Sequence, residues 1–245
     1  MTWNTFPLVL EQAISVTPTV RHFAFRRADR EPFDYVAGQF VNLHWEREGK
    51  RTHRSYSVAN PPTEDGLVEI AMAPVEGGFA TGKLDALSPG DMVEASGPYG
   101  RFVLRDDPPC RYLLVATGTG VTPYRSMLPR IRELLTTGDY RVDLLLGVRN
   151  PEELLYGEEF RAMAKSYENF SFHACYSRAG VPEESPWEYS GYVQNRLADL
   201  DVSPEADIAY LCGNPNMVDQ AAEFLKDAGL GIKAIRREKY LSART

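Results

Sequence analysis

Cysteine is scarce in this chain: Cys110, Cys175 and Cys212 are the only ones among 245 residues. Scattered so widely, they make no disulfide framework, which fits a reducing cytoplasm. They are also too few to hold an iron–sulfur cluster. The four histidines, His22, His44, His53 and His173, show no metal-ligand spacing. No stretch approaches the roughly 18 consecutive apolar residues of a membrane-crossing helix. Met1 to Leu10 lacks the basic start and long apolar stretch of a signal peptide, so a cytoplasmic location is expected. Positive charge is not in excess either. Lys and Arg number 27 against 34 Asp and Glu, a net charge of −7, which argues against a general nucleic-acid binder. Two local basic runs, Arg26-Arg27 and Arg236-Arg237 with Lys239, read either as solvated faces or as docking spots for an acidic partner. Nothing in the composition calls for more than a monomer.

What is present falls into two halves with different rhythms. Short apolar runs recur between Gly and Pro turn signals over the first hundred residues: Phe6 to Ser15, Val20 to Phe25, Phe40 to Trp45, Leu67 to Ala73 and Met92 to Ala95. That pattern predicts a β-barrel or sandwich, with one short helix near Thr81 to Leu87. Asp106-Asp107-Pro108-Pro109 then reads as a linker, because Pro-Pro stiffens the chain and breaks any ladder. We therefore divide the chain into a first domain at 1–105, a linker at 106–110 and a second domain at 111–245. In the second, continuous apolar strands (Arg111 to Ala116, Arg141 to Gly147, Phe170 to Tyr176, Ile208 to Cys212) alternate with helical stretches. Fully apolar strands separated by helices imply a parallel sheet covered on both faces.

Three segments carry candidate chemistry. The turn Thr117-Gly118-Thr119-Gly120-Val121-Thr122-Pro123 joins a buried strand to a helix. Its glycines and the helix start suit a phosphate, although a tight turn with no ligand would read the same. Cys212-Gly213-Asn214-Pro215-Asn216-Met217 is a second such turn, with Asn214 placed as a helix cap. Ligands of parallel sheets bind beyond the carboxyl ends of the strands, so two such turns on one sheet favour a shared nucleotide crevice. In the β half, Arg54-Ser55-Tyr56-Ser57 offers a cation, a ring and two hydroxyls. On a strand Arg54 and Tyr56 share one face, Ser55 and Ser57 the other. An exposed edge strand without a role is the plainer reading. The functional one gives Arg54 to a phosphate, Tyr56 to a planar ring and Ser57 to its edge.

Taken in order, Arg54-Ser55-Tyr56-Ser57, GTGVTPYRSM at 118–127 and CGNPNM at 212–217 resemble the ferredoxin–NADP⁺ reductase family, in its compact bacterial form. The resemblance covers essentially the whole chain. It implies a six-stranded antiparallel barrel for FAD, a C-terminal α/β domain for NADP(H), and ferredoxin or flavodoxin as electron carrier. It implies FAD contacts from Arg54, Ser55, Tyr56 and Ser57, and from a second phosphate turn, Gly77-Gly78-Phe79-Ala80-Thr81. On the nucleotide side it implies Thr117, Gly118, Thr119, Gly120, Gly213, Asn214 and Met217. Ser177-Arg178 would meet the 2′-phosphate, with Arg149 as a further candidate, and Tyr192 with Gln194 would pack that end. Ser190 and Tyr192 stand where relatives carry lysine and arginine, which implies a shallower preference for NADPH. Ser57, Cys212 and Glu238 would lie near the reacting ring, and Tyr240 against the flavin. The rival readings are a free-flavin or ferric-chelate reductase and a non-catalytic redox sensor. A fused oxygenase reductase is disfavoured for want of cluster-type cysteine spacing.

Overall fold

The structure, a computed structural model, describes residues 4–181 and 185–240. The chain forms two units. One takes in the described residues through Leu104 together with Thr122–Leu128; the other takes in Arg105–Val121 and Pro129 onward.

The first unit is an antiparallel sheet of β1 (Phe6–Thr17), β2 (Val20–Arg27), β3 (Phe40–Arg47), β4 (Lys50–Ser57), β5 (Leu67–Met72) and β6 (Met92–Tyr99), in the order β4-β3-β6-β1-β2-β5. Its two edges come together just beyond β4. Val58 bridges Ile70, and the Ala59 N–H donates to the Glu69 carbonyl at 2.7 Å, so the sheet closes into a barrel. Period-two alternation sends Leu8, Leu10, Phe23, Phe25, Val41, Leu43, Val68 and Ile70 into a fully buried interior. The short helix α1 (Phe79–Asp85) begins two residues earlier than the sequence suggests, directly after Gly77-Gly78.

The second unit is a parallel sheet of β7 (Arg111–Thr117), β8 (Arg141–Val148), β9 (Phe170–Tyr176), β10 (Glu188–Ser190), β11 (Asp207–Gly213) and β12 (Ile235–Lys239). Helices α2 (Thr122–Thr137), α3 (Gly157–Ser166), α4 (Val193–Ala198) and α5 (Pro215–Asp227) connect them. One face buries Leu113, Val115, Leu145 and Leu211 against Val193 and Leu197 of α4 and Val218, Ala221 and Leu225 of α5. On the other face Phe172 meets Phe160 of α3, ring centroids 5.5 Å apart. The strand order is β10-β9-β8-β7-β11-β12. The chain builds outward from β7 through β10, then returns to β7's other side for β11 and β12. The topological switch point therefore lies between β7 and β11, the place where open parallel sheets take their ligands.

The segment expected to be a linker is anchored instead. Asp107 accepts two hydrogen bonds from Arg236 at 2.6 and 2.8 Å, and one from the Tyr112 hydroxyl at 3.2 Å. Tyr140 donates to the Asp107 carbonyl at 2.7 Å. Pro-Pro stiffens this stretch, but a bidentate ion pair ties it to β12, so it belongs to the second unit.

Arg236 holds the Asp107 carboxyl below the usual carboxylate range despite partial burial. Its folded-state pKa is depressed, so the stabilisation is present at neutral pH and is lost as pH falls through the depressed value. Replacing Asp107 by Ala leaves Arg236 without its carboxylate partner and should cost about 3 kcal/mol. Denaturant melts of D107A and wild type at neutral and acidic pH check this. The gap between them should shrink as the solution is acidified.

Candidate functional site

The first half of the site is on the barrel. β4 is an edge strand, and its register with β3 sets Tyr56 opposite Val41 and Arg54 opposite Leu43. Both therefore share the face that leads to the core, and Tyr56 packs half-buried against it. Ser55 and Ser57 take the other face, as strand alternation requires. There the Ser55 hydroxyl donates to Asn42 Oδ1 at 2.7 Å, and Ser57 is buried. Burial pushes the Tyr56 phenol up to about 12, so it is a neutral ring near pH 7. Arg54 Nη1 donates to the His53 carbonyl at 2.8 Å, and the guanidinium is half-buried.

The second turn on the barrel, Gly78 to Thr81, opens α1. No side chain caps this helix, so N–H groups at its start have no side-chain acceptor. The Thr81 hydroxyl faces inward instead, within 3.0 Å of the Gly78 carbonyl and 3.2 Å of the Val75 carbonyl. Thr81 shapes this turn, and what the turn can offer a phosphate is backbone N–H from the Phe79–Ala80 stretch. On one unit, a strand with a cation and a neutral ring and an uncapped helix start are parts that fit a flavin dinucleotide.

The other half lies on the second unit at its switch point. Thr117 ends β7, and its hydroxyl accepts the Asn214 N–H at 2.9 Å. A Cβ on Gly120 would stand 2.4 Å from the Cys212 carbonyl oxygen. Gly213, at φ +124°, would place a Cβ 2.6 Å from Thr117 Oγ1. Glycine is required at both positions because the two turns touch. Gly118, in contrast, faces open space, which leaves its side of the turn accessible. Thr119 lies in the same turn. Asn214 is a helix cap: its side-chain oxygen accepts from Asn216 N at 2.9 Å and Met217 N at 3.4 Å. Met217 is buried in the core beneath α5.

Cys212, Glu238 and Tyr240 come together here. Parallel pairing sets Cys212 beside Glu238, and the Tyr240 N–H donates to the Gly213 carbonyl at 2.9 Å. The Tyr240 hydroxyl also reaches the Cys212 thiol. Complete burial raises that thiol well above its ordinary value, the Glu238 carboxylate raises it further, and the Tyr240 hydrogen bond offsets them in part. Complete burial therefore favours the neutral thiol at Cys212. Ser57 belongs to the barrel unit.

A third group gathers at the carboxyl ends of β8 and β9. The Ser177 N–H donates to the Val148 carbonyl at 3.0 Å, and the Arg178 N–H to the Arg149 carbonyl at 2.9 Å. The Gly191 N–H donates to the Tyr176 carbonyl at 2.8 Å, which brings Tyr192 alongside at the start of α4. Tyr192 is 65% exposed, Arg178 is exposed, and Arg149 has only a loose 3.9 Å contact with Glu153. Gln194 is tied to Gln220 at 2.7 Å.

Most cations of the two basic runs are paired with carboxylates, while Arg237 is exposed. Arg26 pairs with Glu11 and Asp65, Arg27 with Asp29, Arg236 with Asp107, and Lys239 with Asp219, at 2.6–2.9 Å. Sequence reasoning missed Arg125 and Glu69, which meet at 2.8 Å in the barrel unit. No group of residues among those described could hold a metal ion, and no helix among them is long and apolar enough to cross a membrane.

Known proteins match this arrangement on both halves. The family model for an oxidoreductase FAD-binding domain matches residues 7–104, and that for an oxidoreductase NAD-binding domain matches residues 114–223. A ferredoxin–NADP reductase B of Sorangium cellulosum is 34% identical over 237 residues, 92% of this chain and 93% of that one. The chain belongs to the ferredoxin–NADP⁺ reductase family. Its two domains are those of an oxidoreductase that binds FAD and a nicotinamide dinucleotide. The phenol hydroxylase P5 protein of Acinetobacter pittii is 35% identical over 232 residues, 93% of this chain. The chain spans 63% of that relative's length. The solved Amycolatopsis cytochrome P450 reductase GcoB superposes with a TM-score of 0.83 at 29% identity, over 98% of this chain and 71% of that one.

Because the Asn214 side chain is committed to α5, N214A should lower stability by about 1 kcal/mol and leave nucleotide affinity unchanged. Thermal melts paired with NADP⁺ titrations check both parts.

Proposed function

We propose that this protein carries electrons between NADPH and a one-electron carrier protein, a ferredoxin or flavodoxin, by way of FAD. The observation that carries this reading is the group formed by Arg149, Ser177-Arg178 and exposed Tyr192 at the carboxyl ends of β8 and β9. It sits on the same sheet edge as the switch-point turns, one side of a nucleotide crevice. Two guanidinium groups and a hydroxyl suit a 2′-phosphate, and an exposed ring suits the base beside it. FAD, when bound, supplies the conversion between a two-electron hydride and single electrons.

The residues on hand are those such chemistry needs. Hydride transfer depends on holding rings in place and excluding water more than on an acid or base. Cys212, neutral and fully buried, can fill space beside a nicotinamide without reacting with it. Glu238 supplies a half-buried carboxylate next to it, and Ser57 a hydroxyl on the barrel side. On this reading C212S and E238Q retain FAD but slow the reduction of flavin by NADPH, as stopped-flow absorbance would measure. Tyr240, through its hydroxyl on Cys212, governs access to the same position.

A second reading is favoured by the phenol hydroxylase relatives, in which the acceptor is an oxygenase component. The acceptor assay separates these readings. Rapid reduction of purified ferredoxin or flavodoxin supports the first, and transfer confined to a purified oxygenase component supports the second. Transfer confined to dyes, free flavin or ferric chelates contradicts both.

Cofactor choice is tested at Arg178. Losing a charge-assisted contact to the 2′-phosphate should cost about 1.5–3 kcal/mol, or roughly 10- to 150-fold in NADPH use, in R178A. NADH has no such phosphate, so kcat/KM for NADH should be unchanged. Equal losses for both cofactors would make Arg178 structural.

A further inference from the structure

The barrel closes at a thin seam, and that seam ends in a charge. β4 and β5 are the two edges of the sheet, and the bridge between Val58 and Ile70 joins them just past Ser57. The next residues are held almost wholly by Glu69 and its surroundings. Ala59 N–H donates to the Glu69 carbonyl at 2.7 Å, and Glu69 N–H donates to Asn60 Oδ1 at 2.8 Å. The Tyr35 hydroxyl donates to the Asn60 carbonyl at 2.6 Å. Into this point comes Arg125, from the first turn of α2, within the barrel unit. Its Nη1 donates to Glu69 Oε2 at 2.8 Å and to the Ala59 carbonyl at 3.3 Å. Arg125 and Glu69 are each only 19% exposed, and His22 Nε2 lies 3.5 Å from the same carboxylate oxygen. One residue along, Ser126 Oγ accepts the Gly38 N–H at 3.0 Å.

We infer that Arg125 is a positioning residue for the flavin: by binding Glu69 and the Ala59 carbonyl together, it fixes the end of the strand that carries Arg54, Tyr56 and Ser57. The inference rests on the reading of β4 as the flavin strand. An edge strand has hydrogen-bonded neighbours on one side only, so its free side takes its geometry from whatever pins its ends. At the far end of β4 the hairpin to β3 does this; at the Ser57 end the pin is the Arg125–Glu69 pair. A guanidinium can hold a carboxylate and a carbonyl in one fixed plane, which a lysine cannot reproduce. A ligand that lies along β4 then meets side chains already in place, and loses less freedom on binding.

The test measures FAD release from the full-length holoprotein, as flavin fluorescence regained on dilution, beside the melting temperature of each variant. The proposal expects R125M to raise the FAD dissociation constant about tenfold or more. R125K should recover part of the loss, because it keeps the charge but not both contacts. E69Q, which keeps an acceptor for Arg125, should fall between wild type and R125M. If R125M holds FAD as tightly as wild type, the inference is overturned and β4 can still be the flavin strand. A lower melting temperature with unchanged affinity overturns it equally, since Arg125 would then serve stability alone. If wild type itself releases no flavin because it holds none, it is the reading of β4 that fails.

Discussion

The carboxyl ends of β7 and β11 touch, and much of the second unit follows from that contact. Gly120 and Gly213 have no space for a Cβ, and the Thr117 hydroxyl holds the Asn214 N–H across the gap. The two turns are fixed on each other at the switch point, where a parallel sheet takes its ligands. The same contact buries Cys212 completely and sets Glu238 and Tyr240 next to it, since β12 pairs with β11 in register. Residues far apart in sequence become one group through a single strand pairing.

The barrel solves a different problem. β4, the strand proposed to take the flavin, is an edge, and an edge leaves backbone on one side for a ligand to approach. An edge strand is also the least constrained part of a sheet. The structure answers with a closed seam beyond β4, an interior of fully buried aromatic and aliphatic side chains, and a half-buried ion pair at the seam's end. Ion pairs of this kind add little to stability, but they specify geometry when both partners are partly buried. Elsewhere on the surface Arg26, Arg27 and Lys239 are matched by carboxylates close in space.

Much of this was legible in the amino-acid pattern. Runs such as RYLLVA, RVDLLLG and DIAYLCG are continuously apolar because those strands are covered on both faces, and the pattern locates them directly. Three of the four edge strands carry no such signal. β10 is Glu-Tyr-Ser, β12 is Ile-Arg-Arg-Glu-Lys, and β4 has Tyr56 as its sole large apolar side chain. The motif residues on β4 and in the turns were recognisable because their chemistry is local: a cation, a ring, a pair of glycines. What stayed hidden was set by distant partners. Asp107 reads as linker until Arg236, far along the chain, closes on it. Arg125 reads as one more letter of a turn motif until Glu69 is seen beside it. Asn214 was legible both as cap and as nucleotide contact, and the hydrogen bonds of its side chain give the cap.

The account's central claim is that one chain holds FAD on its barrel and takes a hydride from NADPH at its parallel sheet. Anaerobic titration of the purified protein with NADPH, followed by absorption, tests it most directly. The account predicts a yellow protein whose flavin bands bleach in proportion to the NADPH added, with FAD rather than FMN released on heating. A colourless protein, or bound flavin that neither NADPH nor NADH reduces, would contradict it.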